Sequence, residues 1–306
     1  MKRILFLFLL TAGTGNISAQ PVTDSTSVPP LRKKFTKGYL RSYLLDSRDI
    51  LLAPVAWKPG GWLTFGALCA ATAAVSTQDV HVLQYQKRHE NTSVDRVAEL
   101  ALEPWGSGKY SMPLMGLFYG YGFISGNRHA KKTALLGVKA FLVSALFITP
   151  MKQLIHRHRP YHDSTDQYIF DGPFAPGTDF TSWSSIWAGF KSETKYTSFP
   201  SGHTMSVFAV ASVVATEYRH TVWVPVLSYT IAGLSGLSRI EAGKHWLSDV
   251  FMGAAFGYAI GSMISLRNNW GVQIEPVWSP GKASIGVAIP LGSAGTAMPE
   301  GKDIIH

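Results

Sequence analysis

Three short groups of residues in this 306-residue chain have the types and spacing needed to handle phosphate. The first is Lys152 with Arg159 seven positions on, followed by Pro160. The second is Pro200-Ser201-Gly202-His203, and the third is Ser238-Arg239, then His245, then Asp249. If the chain from about 245 is helical, His245 and Asp249 share a face at i and i+4. The carboxylate then accepts a proton from one imidazole nitrogen, fixes the tautomer and leaves the other nitrogen free to attack phosphorus. Asp249 also stabilises the positive ring that forms, and Arg239 offers a planar fork to phosphate oxygens. Ser201 and Gly202 precede an apolar helix beginning near Thr204, and the exposed N–H groups of such a turn favour an anion. His203, with an ordinary pKa of about 6.5, is placed to protonate the leaving oxygen. Lys152 and Arg159, two turns apart if helical, face one way and clamp the equatorial oxygens of a five-coordinate phosphorus. Cations and a helix end then supply the charge stabilisation on which phosphoryl transfer depends, so neither a metal nor another cofactor is expected.

Positioning such groups falls to the apolar stretches at about 62–76, 112–125, 133–150, 205–217, 222–237 and 250–266, because each group begins or ends one of them. They predict an all-α, membrane-embedded helical bundle of five or six helices. Small residues such as Gly253, Gly257 and Gly261 suit close helix packing. Residues 1–19 read as a signal peptide, from the Lys2-Arg3 start to the Ile17-Ser18-Ala19 end. Residues 20–61 form a periplasmic leader and interfacial segment, 62–267 the bundle, and 268–306 a tail with a β-hairpin about Ser279-Pro280-Gly281. Arg128, Lys131, Lys132, Arg219 and Arg267 sit in or beside short loops. Taken as cytoplasmic, they put all three groups on the periplasmic side of a bacterial-type inner membrane, with five spans and 62–76 laid in the interface. A soluble or peripheral periplasmic bundle is the alternative.

In this order and spacing the groups resemble the tripartite signature of the type 2 phosphatidic acid phosphatase superfamily. That superfamily includes lipid phosphate phosphatases, bacterial acid phosphatases and vanadium haloperoxidases. The resemblance extends over about 112–266 and includes the run Gly243-Lys244-His245-Trp246-Leu247-Ser248-Asp249-Val250. It implies a helical bundle with His245 as nucleophile, Asp249 as its partner and His203 as general acid, and with phosphate held by Lys152, Arg159, Ser201, Gly202 and Arg239. The leader, the 62–76 stretch and the C-terminal tail depart from the family's minimal pattern.

Composition narrows the partners. Charged residues make up 15% against 46% hydrophobic, while a mean hydropathy of +0.09 requires sizeable polar segments beside any spans. The balance of 28 Lys+Arg over 19 Asp+Glu favours anionic partners such as phospholipid surfaces or phosphorylated substrates. Scattered basic residues, with no long basic block, exclude a nucleic-acid arm. The single Cys69 reads as a small core hydrophobe. His156 and His158 lack the carboxylates of a metal site and read as a solvated or phosphate-facing turn. The aromatic-rich stretch 161–199, with Trp183 and Trp187, reads as an external loop over the site. The expected activity is hydrolysis of a phosphate monoester or diphosphate on a membrane lipid through a phosphohistidine. A broad soluble-substrate acid phosphatase or haloperoxidase, and a non-enzymatic transport or scaffold protein, are the competing readings.

Overall fold

The six apolar stretches from 62 to 266 are helical in the computed structural model, which describes residues 38–160, 170–171, 197–268, 273–279 and 282–288. The chain divides into two units, 1–32 and 33–306, and all described residues belong to the second. The expected signal at 1–19, the leader to about residue 30, and most of the loop 161–199, including Trp183 and Trp187, lie outside the described residues.

Helix α1 (Gly38–Leu52) and a 3-10 turn (Ala53–Ala56) lead to α2 (Pro59–Ser76). Pro59 opens α2, where a missing N–H costs nothing. Shorter pieces follow: α3 (Asp79–Arg88), α4 (Thr92–Val97) capped by the Asn91 side chain, a π turn (Ala98–Leu102) and α5 (Glu103–Gly106). The long helices are α6 (Ser111–Ile124), α7 (Arg128–Ile155), α8 (Gly202–Glu217), α9 (Trp223–Glu241) and α10 (Leu247–Asn268). Strands β1 (Gln273–Ser279) and β2 (Lys282–Ala288) pair antiparallel as the expected hairpin.

Helix α8 is the central element, packed by α7, α9 and α10. Leu136, Ala140 and Val143 of α7, Met205, Ala209 and Val213 of α8, and Ile260 and Ile264 of α10 form one buried cluster. The glycines expected to permit close packing do so. A Cβ on Gly253 would fall 2.6 Å from the Ser201 carbonyl oxygen, and on Gly257 and Gly261 it would overlap the Met205 and Ala209 carbonyls. One stripe of α10 thus lies against the backbone of α8, seating the first turns of the two helices side by side.

Among the described residues two helices, α7 and α10, are long and apolar enough to cross a bilayer, with mean hydropathy 1.9 and 1.3 in their best windows. Outward-facing apolar side chains cover the bundle, among them Leu117 and Ile124 on α6, Leu142, Leu146 and Leu154 on α7, and Leu227 and Leu237 on α9. At one end Glu217 accepts hydrogen bonds from His129, Lys132 and Ser265, tying together the start of α7, the end of α8 and the end of α10. The basic residues near 128–132 and 219 therefore gather at the end opposite the first turns of α8 and α10.

Candidate active site

Helix α7 runs through Pro150 and carries Lys152 on its last turn. It stops at His156, whose left-handed backbone (φ 45°) turns the chain away from the helix axis. Lys152 and Arg159 therefore do not share one helical face, as their spacing had suggested. Arg159 lies in an extended segment, buried, donating to the Lys244 carbonyl at 3.3 Å and the Thr197 carbonyl at 3.2 Å. His156 is buried, not solvated, and His158 bonds Asp171 at 2.8 Å.

Ser201 is the N-cap of α8, its hydroxyl accepting from the Thr204 N–H. Its own N–H donates to the Asp249 carbonyl at 3.0 Å, so it is not offered to an anion as the sequence reading had it. The N–H groups of Gly202 and His203 lie in the first turn, where no intrahelical acceptor exists. Lys152 reaches this turn. Its Nζ is 3.9 Å from the point a Gly202 Cβ would occupy, and that Cβ would stand 3.2 Å from Ile148.

The third group is built on a helix end. Arg239 lies in the last turn of α9, and Gly243 follows with φ 62°. Lys244 N–H bonds the Arg239 carbonyl and Gly243 N–H the Ile240 carbonyl, the two bonds of a Schellman ending. That turn delivers His245 just ahead of α10. The imidazole is thus not on a helix with Asp249, and its Nδ1 stands 3.6 Å from Asp249 Oδ2, an ion-pair separation rather than a hydrogen bond.

Asp249 is instead fully engaged elsewhere. Its Oδ2 accepts from the Ser198 hydroxyl at 2.5 Å and the Trp246 N–H at 2.9 Å, and its Oδ1 from Arg157 at 2.5 Å. Reaching back to the N-cap N–H is half of a capping box. Arg157 continues to Asp79 at 2.7 Å and Ser248 at 2.7 Å, and Asp79 accepts the Ser248 N–H at 2.9 Å. A buried chain of charge, Asp79–Arg157–Asp249, therefore anchors the start of α10. Burial pushes the Asp79 carboxyl above its ordinary range, against the opposing pull of Ser248 and Arg157.

These elements converge. His245 is faced by Arg159, Lys152 and Arg239, and His203 by Arg239, His245, Lys152 and Lys244. Burial first, and then the three cations, hold the His245 imidazole well below its ordinary pKa, with a backbone bond to Ser198 working the other way. The ring is neutral near pH 7 and able to act as a nucleophile. A cleft of about 910 Å³ opens alongside, lined by Glu103, Lys109, Arg239 and Lys244 and walled by residues of α3 and α4.

Seven of the eight residues singled out from the sequence sit at or beside these abutting helix ends, and Arg159 reaches them from the segment after α7. Sequence reasoning missed Arg157, whose histidine neighbours drew the attention in His-Arg-His-Arg-Pro, and missed Asp79, Ser198 and Glu103. A mixed, unpatterned run gave no sign that Glu103 would meet His203, yet its Oε1 lies 2.9 Å from His203 Nε2. Among the described residues no cluster of metal-ligating side chains was found.

The sequence pattern of the PAP2 superfamily matches residues 133–271, which contain all three groups. This segment belongs to the PAP2 superfamily. Over 71 residues the chain is 44% identical to a lipid A 1-phosphatase of Porphyromonas gingivalis, covering 23% of this chain and 16% of that protein. A probable diacylglycerol pyrophosphate phosphatase of Schizosaccharomyces pombe is 27% identical over 161 residues, covering 48% of this chain and 58% of that protein. The chain therefore spans less than two thirds of the length of either relative. Among solved structures, a transmembrane PAP2 type phosphatidylglycerolphosphate phosphatase of Bacillus subtilis aligns at 22% identity and TM-score 0.48, over 68% of this chain and 94% of that one. LpxE of Aquifex aeolicus aligns at 22% and 0.44, over 62% and 94%.

Proposed function

We propose that the chain is a membrane-embedded phosphatase that hydrolyses a phosphate monoester or diphosphate on a lipid through a phosphohistidine at His245. The observation that carries this reading is the meeting of His203 and His245 with Lys152, Arg159 and Arg239 at the first turns of α8 and α10. His245 attacks phosphorus, the lipid oxygen leaves with a proton from His203, and water activated by His203 then breaks the P–N bond. Lys152, Arg159, Arg239 and the Gly202 and His203 N–H groups bind the phosphoryl oxygens, Ser201 caps the helix that presents them, and Asp249 steadies the imidazolium across 3.6 Å. Two apolar helices of spanning length and the outward apolar side chains support residence in a bilayer. The basic ends of α7 and α8, gathered opposite the site, support a site on the periplasmic face.

The test is the protein purified in detergent and assayed against lipid A 1-phosphate, phosphatidylglycerophosphate, phosphatidate, diacylglycerol pyrophosphate and undecaprenyl diphosphate, with His245→Ala as the blank. Labelled phosphate trapped on the wild-type protein in an acid-labile, base-stable bond is the expected result. Turnover by His245→Ala, or release of the protein from membranes by high salt alone, refutes it.

A further inference from the structure

We infer that Glu103 is a positioning residue for His203, holding its ring and charge so that it can pass a proton to and from the substrate. The inference rests on the reading of His203 as the acid and then base of the reaction. Glu103 lies outside residues 133–271, on an element with no part in the three sequence groups.

The carboxylate is delivered by a tethered segment. The α5 turn is held by Tyr110 N–H to the Pro104 carbonyl at 3.1 Å, by the Ser111 hydroxyl to the Trp105 carbonyl at 2.6 Å, and by the Tyr110 hydroxyl to the Leu100 carbonyl at 2.8 Å. Its last residue, Gly106, lies directly on His203: a Cβ there would fall 2.7 Å from the His203 Cβ and 2.9 Å from its carbonyl oxygen. Any side chain at 106 would lift α5 off α8, so the glycine is what lets Glu103 Oε1 approach His203 Nε2 to 2.9 Å. The π turn just before α5 is a local irregularity of the kind often found at functional sites.

The chemistry gives that contact a purpose. As the P–O bond breaks and the P–N bond to His245 forms, the departing alkoxide takes a proton from His203. As water's oxygen bonds phosphorus and the P–N bond breaks, the proton from water returns to His203. The ring must therefore carry a positive charge before the alkoxide leaves and regain it as water adds. Burial, and then Arg239 on α9, Lys152 on α7 and Lys244 on the turn before α10, oppose a positive charge there. Glu103 on α5 offsets them, and it is also 3.9 Å from Arg239. With Nε2 committed to the carboxylate, Nδ1 is left to serve the leaving oxygen, the division of labour of a carboxylate–imidazole pair.

The test compares two phosphate monoesters on the full chain in detergent: 4-nitrophenyl phosphate, whose leaving group departs without a proton, and an alkyl phosphate, whose leaving group needs one. General acid catalysis contributes about 10²–10⁴-fold. Glu103→Gln is expected to lower the alkyl-to-aryl ratio of kcat/KM, which stops at the transfer to His245, at least tenfold, roughly the lower part of that range. The basic limb of its kcat profile moves to lower pH, because His203 loses its proton more easily. Glu103→Asp, which keeps the charge, restores much of the ratio. Thermal unfolding of each preparation reports the folded fraction. Equal loss on both esters, or an unchanged ratio and limb, overturns the inference. His203→Ala, run alongside, is expected to collapse the same ratio. If it does so while Glu103→Gln leaves the ratio alone, the reading of His203 stands and the role of Glu103 falls. If it does not, both fall.

Discussion

Replacing Arg157 by Met removes the cation from a buried chain whose two carboxylates, Asp79 and Asp249, are shielded from solvent. The side chain keeps its approximate volume, so the change is in charge and hydrogen bonding. Arg157 bonds Asp79, Asp249 and Ser248, and without it the two carboxylates face each other across the space the guanidinium held. Removing one partner of a buried ion pair costs about 3–5 kcal/mol. At roughly 2–4 °C per kcal/mol the Tm then falls by roughly 6–20 °C. The pH dependence follows from Asp79, which burial already holds above its ordinary range. A raised carboxyl binds its proton more tightly folded than unfolded. Its stabilising contribution is therefore full below the unfolded value, about 3.9, and is lost as pH rises through the folded one. Loss of Arg157 raises that folded value further, so the deficit of Arg157→Met is larger at pH 8 than at pH 5. Adding Asp79→Asn removes one buried charge, and the double variant is expected to recover about 1–3 kcal/mol over Arg157→Met alone. The assay is thermal unfolding in detergent of wild type, both single variants and the double variant at the two pH values. Strictly additive Tm losses, or an Arg157→Met protein as stable at pH 8 as wild type, would refute the reasoning.

Other expectations are as direct. Since burial and three cations hold His245 neutral, the acidic limb of kcat/KM lies well below the ordinary imidazole range of about 6.5. Arg159→Met moves that limb to higher pH, and a limb already at or above the ordinary range in wild type contradicts the geometry. Gly257→Val drives a side chain into the Met205 carbonyl and is expected to cost at least 1–3 kcal/mol, roughly the range for overpacking. Gly233→Ala, which meets nothing within 4 Å, gains about 0.5–1 kcal/mol, and thermal melts of the pair decide between them. Vanadate, as a five-coordinate phosphate mimic, inhibits below the concentration at which inorganic phosphate does, and chelators leave turnover intact. Activity lost in chelator and regained with a divalent ion would overturn a metal-free mechanism.

The six apolar helices were legible because length and hydropathy alone specify them. The site was legible because its residues sit where those helices begin or end. What sequence could not give was the path between elements. The positive φ of His156 takes Arg159 off the axis of α7, and nothing local to Ile155-His156-Arg157 announces it. His245 and Asp249 looked like a helical pair at i and i+4, but the Schellman ending at Gly243 sets the imidazole before α10, and the carboxylate spends its lone pairs on Ser198, Trp246 and Arg157. Asp79 and Glu103 were invisible for a different reason. Their roles depend on contacts 169 and 100 residues away along the chain, and no spacing rule reaches that far.

Asp79 has a practical consequence for dissecting the protein. By accepting the Ser248 N–H and hydroxyl and the Arg157 guanidinium, a residue from the first third of the chain finishes a helix end in the last. The 133–271 segment is accordingly not an interchangeable module. A chimera that grafts it behind a foreign amino-terminal region inherits both histidines but leaves Arg157 with half its counter-charge, unless the donor region brings its own carboxylate to the same spot.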